Sequence, residues 1–280
     1  MKPTSIIFLI LSIILIATGV GLCFVAENMS TEQEIELYTQ SVDENDNNID
    51  RYELENADLS RISLTLKKAN VNIITDSEET YIELVNFSKN TYEFSLNLKT
   101  VSVDDTINLL SMLNFAEGGF QFEGLRYFLT PDMYKNKQKS VNIYLKNDNS
   151  LKVIDIKIGE GNLVIDNLIS RIDYTISINK GNAEFSKTRS GSIFDLDVNE
   201  GNVRFYDTIF VEAKVNINKG NFNFYANNYM HQTFNLTTTL GKIFYGEEEK
   251  FGAFFQELPI ASTKTIVNIG TGDIIISPAE

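Results

Sequence analysis

Acidic side chains dominate the residues of this sequence that could do chemistry. Asp155, Asp173, Asp195 and Asp197, with Lys157 and Lys214 among them, could form a carboxylate strip that protonates and attacks a glycosidic bond. Asp43 to Glu53 resembles a calcium loop: aligned on Ile49, the residues Asp46, Asp50 and Glu53 fall on ligand positions. Val42 then stands where the first aspartate belongs, and Asn47 replaces the sharp-turn glycine, so a solvated acidic segment is the better reading. The single histidine, His231, has no evident nucleophile partner, and no zinc cluster or phosphate-cradling glycine loop is present. Trp, the strongest sugar-stacking side chain, is missing. The reading is therefore a protein without catalytic, cofactor or metal residues.

The elements that carry these side chains come from an internal repeat. Gly161, Gly181, Gly201 and Gly220 recur every 19 or 20 residues, each followed by asparagine. Registered on its glycine, each copy has apolar residues at −7, −5 and −3 and again at +2 and +4. The first copy gives Ile154, Ile156 and Ile158, then Leu163 and Ile165; the third gives Phe194, Leu196 and Val198, then Val203 and Phe205. Period-two alternation on both sides of a tight bend makes each copy two short strands with one buried face. The frame extends to Gly241 and Gly272, and upstream to Ala69 in the glycine position. Repeats at constant register predict an all-β solenoid of stacked two-strand rungs.

The polar columns agree. Asn162, Asn182, Asn202 and Asn221 occupy +1 and would ladder between rungs about 4.8 Å apart. Glu160, Lys180, Glu200 and Lys219 alternate in sign at −1, so a slip of one rung would set like charges together. A β-meander or barrel is the competing fold, because a Gly-Asn bend also closes hairpins. Parallel stacking is preferred, since it rewards identical residues at identical offsets.

The chain has 280 residues, 43% apolar, and a formal net charge of −14, which disfavours nucleic acid and repels anionic polymers unless a divalent cation bridges them. Residues 1–5 form a short N-terminus, and the uninterrupted apolar run 6–26 is long enough to cross a bilayer as a helix. A cleaved signal peptide would need small residues before the cut, where Phe24 stands three residues back from a cut after Ala26. Lys2 before the run, against Glu27, Glu32, Glu34 and Glu36 after it, keeps the N-terminus cytoplasmic and sends the rest outside. Residues 27–59 read as an acidic spacer, and 60–280 as the solenoid ectodomain.

Two insertions interrupt the repeat. Residues 104–140 open with Asp104 and Asp105 before a short helical pattern and an aromatic stretch that would cap or flank the solenoid. Residues 246–262 place Phe251, Phe254, Phe255 and Leu258 at helical spacing, which predicts a helix on the solenoid and a candidate partner surface. Pro278 would discourage a neighbour from adding to the last strand.

From Val141 to Leu151 and through the Gly-Asn rungs, the chain resembles the bacterial "putative-adhesin" β-solenoid family of envelope proteins such as LiaG. It departs by its aromatic insertion, by the long gap before Gly272, and by asparagine where that family often has aspartate. The resemblance implies a Gram-positive-type envelope, membrane anchoring and a link to the envelope-stress response, with no catalytic residues to carry over. The expectation is a single-pass membrane protein whose ectodomain is a non-catalytic binding or scaffold module for an envelope protein or wall polymer. An accessory subunit docked on a membrane sensor and a polysaccharide-acting enzyme are the alternatives.

Overall fold

The computed structural model describes residues 38–54, 59–88, 92–97, 99–105, 136–146, 150–258 and 263–279. The apolar run 6–26 and the helical pattern expected after Asp105 lie outside these residues. Among the described residues no helix is long and apolar enough to cross a membrane.

Among the described residues, twenty strands join in one continuous sheet system. The first is a hairpin of β1 (Tyr38–Val42) and β2 (Asn48–Glu53), followed by β3 (Arg61–Lys68), β4 (Asn70–Ile74), β5 (Tyr81–Val85), β6 (Glu93–Asn97), β7 (Thr100–Asp104) and β8 (Ser140–Tyr144). The rungs continue with β9 (Val153–Glu160), β10 (Leu163–Asp166), β11 (Ile172–Lys180), β12 (Ala183–Ser186), β13 (Ser190–Glu200), β14 (Val203–Tyr206), β15 (Glu212–Lys219) and β16 (Phe222–Tyr225). The last are β17 (Thr233–Tyr245), β18 (Glu248–Gln256), β19 (Lys264–Thr271) and β20 (Ile274–Ser277).

The rungs stack in parallel at the register set by the glycines. Ile154 pairs with Tyr174, Tyr174 with Phe194, and Phe194 with Ala213. Leu163, Ala183, Val203 and Phe222 stack likewise after the bend. These pairs are parallel, which removes the meander. A second corner follows the short strands, where Asn167, Lys187 and Asp207 all have positive φ, between 46° and 56°. Beyond it Leu168, Thr188, Thr208 and Phe210 turn inward and close a third side.

The first corner needs glycine for two reasons. Gly161, Gly181, Gly201, Gly220 and Gly272 have φ between 141° and 155°, a region essentially restricted to glycine. Each also lies against the carbonyl of the equivalent residue one rung away, so a Cβ on Gly201 would sit 1.8 Å from Gly181 O. Gly241 is different: it has no positive φ and lies inside the continuous strand β17, yet a Cβ there would still sit 1.9 Å from Gly272 O.

The rungs do not stack in chain order. After β15 and β16 the chain skips one level and lays down β17; β19 and β20 then return to fill the gap. β19 pairs with β15 on one side and β17 on the other, and β20 lies between β16 and β17. The same out-and-back course occurs at the other end, where β3 and β4 sit between β7 with β8 and β9 with β10. β20 is thus an interior strand, so Pro278 follows no open edge. The stack ends are covered by antiparallel strands: β6 on β7, β5 on β8, and β18 on β17.

The helix expected over 251–258 is a strand instead. β17 and β18 form a hairpin joined at Gly246, which takes φ 59° in a two-residue turn. The helical spacing of its aromatic residues coincides with an outward alternation in two parts, Ala253 and Phe255 beside the long part of β17 and Glu249 and Phe251 beyond its corner, parted by Gly252 at φ 75°. Part of the segment read as an acidic spacer is also in the sheet, since β2 pairs with β5.

Aromatic side chains run through the core. Phe194 stacks on Phe210 at 4.2 Å, Phe205 meets Phe222 edge-on at 5.1 Å, and Phe224 meets Phe234 at 5.4 Å. Tyr174 is fully buried, and burial pushes its hydroxyl far above the ordinary tyrosine range.

The expected asparagine ladder exists, with the amide oxygen as acceptor and main-chain N–H as donor. Asn182 N donates to Asn162 Oδ1, Asn202 N to Asn182 Oδ1, and Asn221 N to Asn202 Oδ1, each at 2.9 Å. Asp273 N continues to Asn221 Oδ1 and Lys242 N to Asp273 Oδ1, both at 2.8 Å. The alternating charge column holds Lys68–Glu160 at 2.9 Å, Lys180–Glu200 at 3.8 Å and Lys219–Glu200 at 3.3 Å, all exposed and each worth under about 1 kcal/mol. Replacing Asn202 by alanine should therefore cost about 1 kcal/mol of unfolding free energy in a urea titration, because the Asn221 N–H loses its acceptor. Asn202→Asp keeps that oxygen, as Asp273 does naturally, and should cost less; equal losses would contradict this role for the ladder.

Candidate functional site: the outer face of the long sheet

Alternate residues of β9, β11, β13, β15, β19 and β17 point away from the core. The parallel register turns them into columns across the rungs. At −4 the column runs Lys157, Ser177, Asp197, Asn216, Asn268 and Thr237. At −2 it runs Gly159, Asn179, Asn199, Asn218 and Gly270, with Thr239 beyond. These two columns floor an open groove of about 540 Å³ from Ser177 and Asn179 to Thr237 and Thr239.

Amide hydrogen bonds fix the groove's side chains. Asn199 Nδ2 donates to Asn179 Oδ1 and Asn218 Nδ2 to Asn199 Oδ1, both at 3.0 Å. In the neighbouring column Asn216 Nδ2 donates to Asp197 Oδ1 at 2.7 Å and Asn268 Nδ2 to Asn216 Oδ1 at 3.0 Å. Gly270 has no side chain to continue the first ladder, and the main chain there approaches so closely that a Cβ would lie 2.7 Å from Asn218 O.

The carboxylates expected to form an acidic strip are dispersed. Asp155 and Asp195 share a column, but Thr175 stands between them, and Lys214 follows Asp195. Asp195 and Asp197 lie on one strand and one face. Asp197 is held by Asn216, whereas Asp195 Oδ1 is enclosed without a hydrogen-bond partner. Asp173 Oδ1 accepts the main-chain N–H of Ile193 at 3.2 Å. His231 is exposed at the end of a short 3-10 turn, Tyr229–His231.

The resemblance to a calcium loop does not survive folding. Asp50 is buried and accepts from Tyr92 Oη at 3.1 Å, and Glu53 pairs with Arg51. Asp46 sits on the hairpin turn at φ 58°. Asp43 closes that turn by accepting from Asn45 N and Asn47 N; hydrogen bonds from Asn47 hold its carboxyl below the usual range. Among the described residues no group of three or more His, Cys, Asp and Glu side chains is placed to hold a metal ion.

The four residues expected to form a partner surface divide. Phe254 faces inward, with its ring 4.8 Å from that of Tyr245, and Leu258 is half-buried. Phe251 and Phe255 remain 69% and 60% exposed. The pairs Asn235–Phe255 and Thr237–Ala253 carry the outer face of β17 onto β18 beside the far end of the groove, whereas Phe251 pairs with Lys242 beyond the corner at Gly241, after a break in register. Lys242 Nζ stands 5.8 Å from the Phe251 ring and pairs with Glu249 at 3.0 Å. The −2 asparagines were not singled out from the sequence, although the glycine registration that located the −6 and −4 residues also locates them.

Structural similarity is remote. The chain is 14% identical to a solved "putative cell adhesion protein" from Clostridium sporogenes, covering 86% of this chain and 100% of that one at a TM-score of 0.45. It is 11% identical to a "putative lipid binding protein" from Parabacteroides distasonis, covering 81% of this chain and 96% of that one at a TM-score of 0.34. No curated protein matches the sequence. Residues 59–250, which hold the rungs from Ala69 through Gly241 and most of the groove, match the family described as Toastrack DUF4097. With more than half of its length matched, the chain belongs to the Toastrack DUF4097 family.

Proposed function

We propose that this chain is a membrane-anchored, extracytoplasmic module of the bacterial cell envelope that binds or scaffolds without catalysis, adhesin-like or linked to the envelope-stress response. The observation that carries this reading is the groove, with the exposed Phe255 on the strand beyond it, on a stack whose core is filled by side chains. The interior is occupied by side chains, so recognition takes place on an outer face. Asparagine amides locked by rung-to-rung hydrogen bonds lose little freedom on binding, which suits a preorganised recognition surface. The apolar run 6–26 supports the anchor, and the acid-rich segment after it supports an outward orientation.

The partner is an envelope protein or a wall polymer. Proximity cross-linking of the full chain in living cells, against residues 1–59 alone, tests this. The reading expects envelope components enriched by the folded part; identical recovery from both would overturn it. A second reading, an accessory subunit docked on a membrane sensor, draws on the exposure of Phe251 and Phe255. It expects Phe251→Ser with Phe255→Ser to cut recovery of one membrane protein at least tenfold while urea unfolding stays unchanged. Undiminished recovery would remove it.

A further inference from the structure

We propose that the groove binds an uncharged, linear glycan laid across the rungs, with its end on Phe255. This inference rests on the binding-module reading and names the ligand class.

Three observations converge. The first is charge. The chain carries a net −14, yet Asp197 is the single ionisable residue among the fourteen that line the groove. An anionic polymer would meet no cation there and an acidic protein around it. A neutral chain meets neither obstacle.

The second is hydrogen-bond supply. A primary amide offers two N–H donors and two carbonyl lone pairs. The ladder bond from Asn199 to Asn179 and that from Asn218 to Asn199 use one donor and one lone pair of Asn199. One of each is left, and the groove adds the hydroxyls of Ser177, Thr237 and Thr239. Donors and acceptors therefore recur together at the rung spacing of about 4.8 Å. A sugar hydroxyl both donates and accepts, and a linear glycan repeats its hydroxyls along one axis. An apolar ligand would waste these groups, and a polyanion would use only the donors.

The third is the aromatic border. Phe255 is 60% exposed on the outer face of β18, beside Asn235 and next to the small Ala253. The C–H faces of sugar rings are apolar and rest on flat aromatic surfaces, removing both from water. The register Thr237–Ala253 brings this ring to the strand next to the last polar residues of the groove.

The test uses the full chain in detergent, titrated with uncharged hexasaccharides of glucose, N-acetylglucosamine and mannose, with the monosaccharides, and with poly(glycerol phosphate) as the polyanion. At least one hexasaccharide should bind with a Kd on the order of millimolar, its monosaccharide at least tenfold more weakly, and the polyanion not at all. Phe255→Ser should weaken that binding at least fivefold, as should Thr237→Val with Thr239→Val, while Glu184→Ala on another side should leave it unchanged. Failure of all three hexasaccharides, preference for the polyanion, or equal affinity in the groove variants overturns the proposal. If the hexasaccharides fail while cells still yield cross-links through the folded part, the glycan is wrong and the binding module stands; if both fail, both readings fall.

Discussion

Gly201→Ala is expected to remove about 3–5 kcal/mol of stability, a large share of what holds a domain folded. Two costs add. The residue's φ of 155° lies where side chains are rarely tolerated, worth about 1–3 kcal/mol. The new Cβ would also lie 1.8 Å from Gly181 O, and a main-chain carbonyl can clear it only by parting two rungs, at about 1–3 kcal/mol. Gly252 is the control. It has φ 75°, but a Cβ added there would meet nothing within 4 Å, so Gly252→Ala should cost only about 1 kcal/mol. Urea midpoints at constant slope measure both. Equal losses would show that the stacked glycine column is not what demands glycine.

Deleting residues 264–280 is the second large effect. If rungs stacked in chain order, this would trim the end of the solenoid and leave β17 in place. In the observed order it removes an interior level. Val267, Ile269, Ile274 and Ile276 are all buried there, and their gross transfer free energy is roughly 6–12 kcal/mol before entropy is subtracted. More consequentially, β17 and β18 lose the strands that join them to β15 and β16. Hydrogen exchange should therefore show β17 and β18 unprotected in the truncated chain, with β9 to β14 still protected. Persistent protection of β17 would contradict the intercalated order.

These cases show which features the sequence made legible. The rung register could be read because glycine, asparagine and alternating apolar residues all recur at fixed offsets. The spatial order could not be read from periodicity, because Ile274 and Ile276 fit against either neighbouring level. One signal was available. Asp273 retains the side-chain oxygen that accepts from the next rung, whereas Lys242 at the same offset has none. A rung that keeps the acceptor has a neighbour beyond it, and the rung that lacks it can stand outermost.

The aromatic segment shows the converse failure. Phe251, Phe254, Phe255 and Leu258 fit a helical period, but hydrogen-bond donors and acceptors left open along β17 drew the segment into a strand. Phe251 and Phe255 then face outward, and of the two Phe255 stands on the strand beside the groove. The carboxylates failed as a strip for a related reason: each aspartate was placed outward correctly, but the residues on adjacent rungs, Thr175 and Asn216, separate or engage them.

The central claim is that the outer face of the long sheet meets the envelope ligand. Photo-cross-linking in living cells tests it most directly, with the reactive residue placed at Thr237 in the groove or at Glu184 on the short-strand side. The account predicts adducts to an envelope component from position 237 and none from position 184. Adducts from 184 alone, or equal adducts from both, would contradict it.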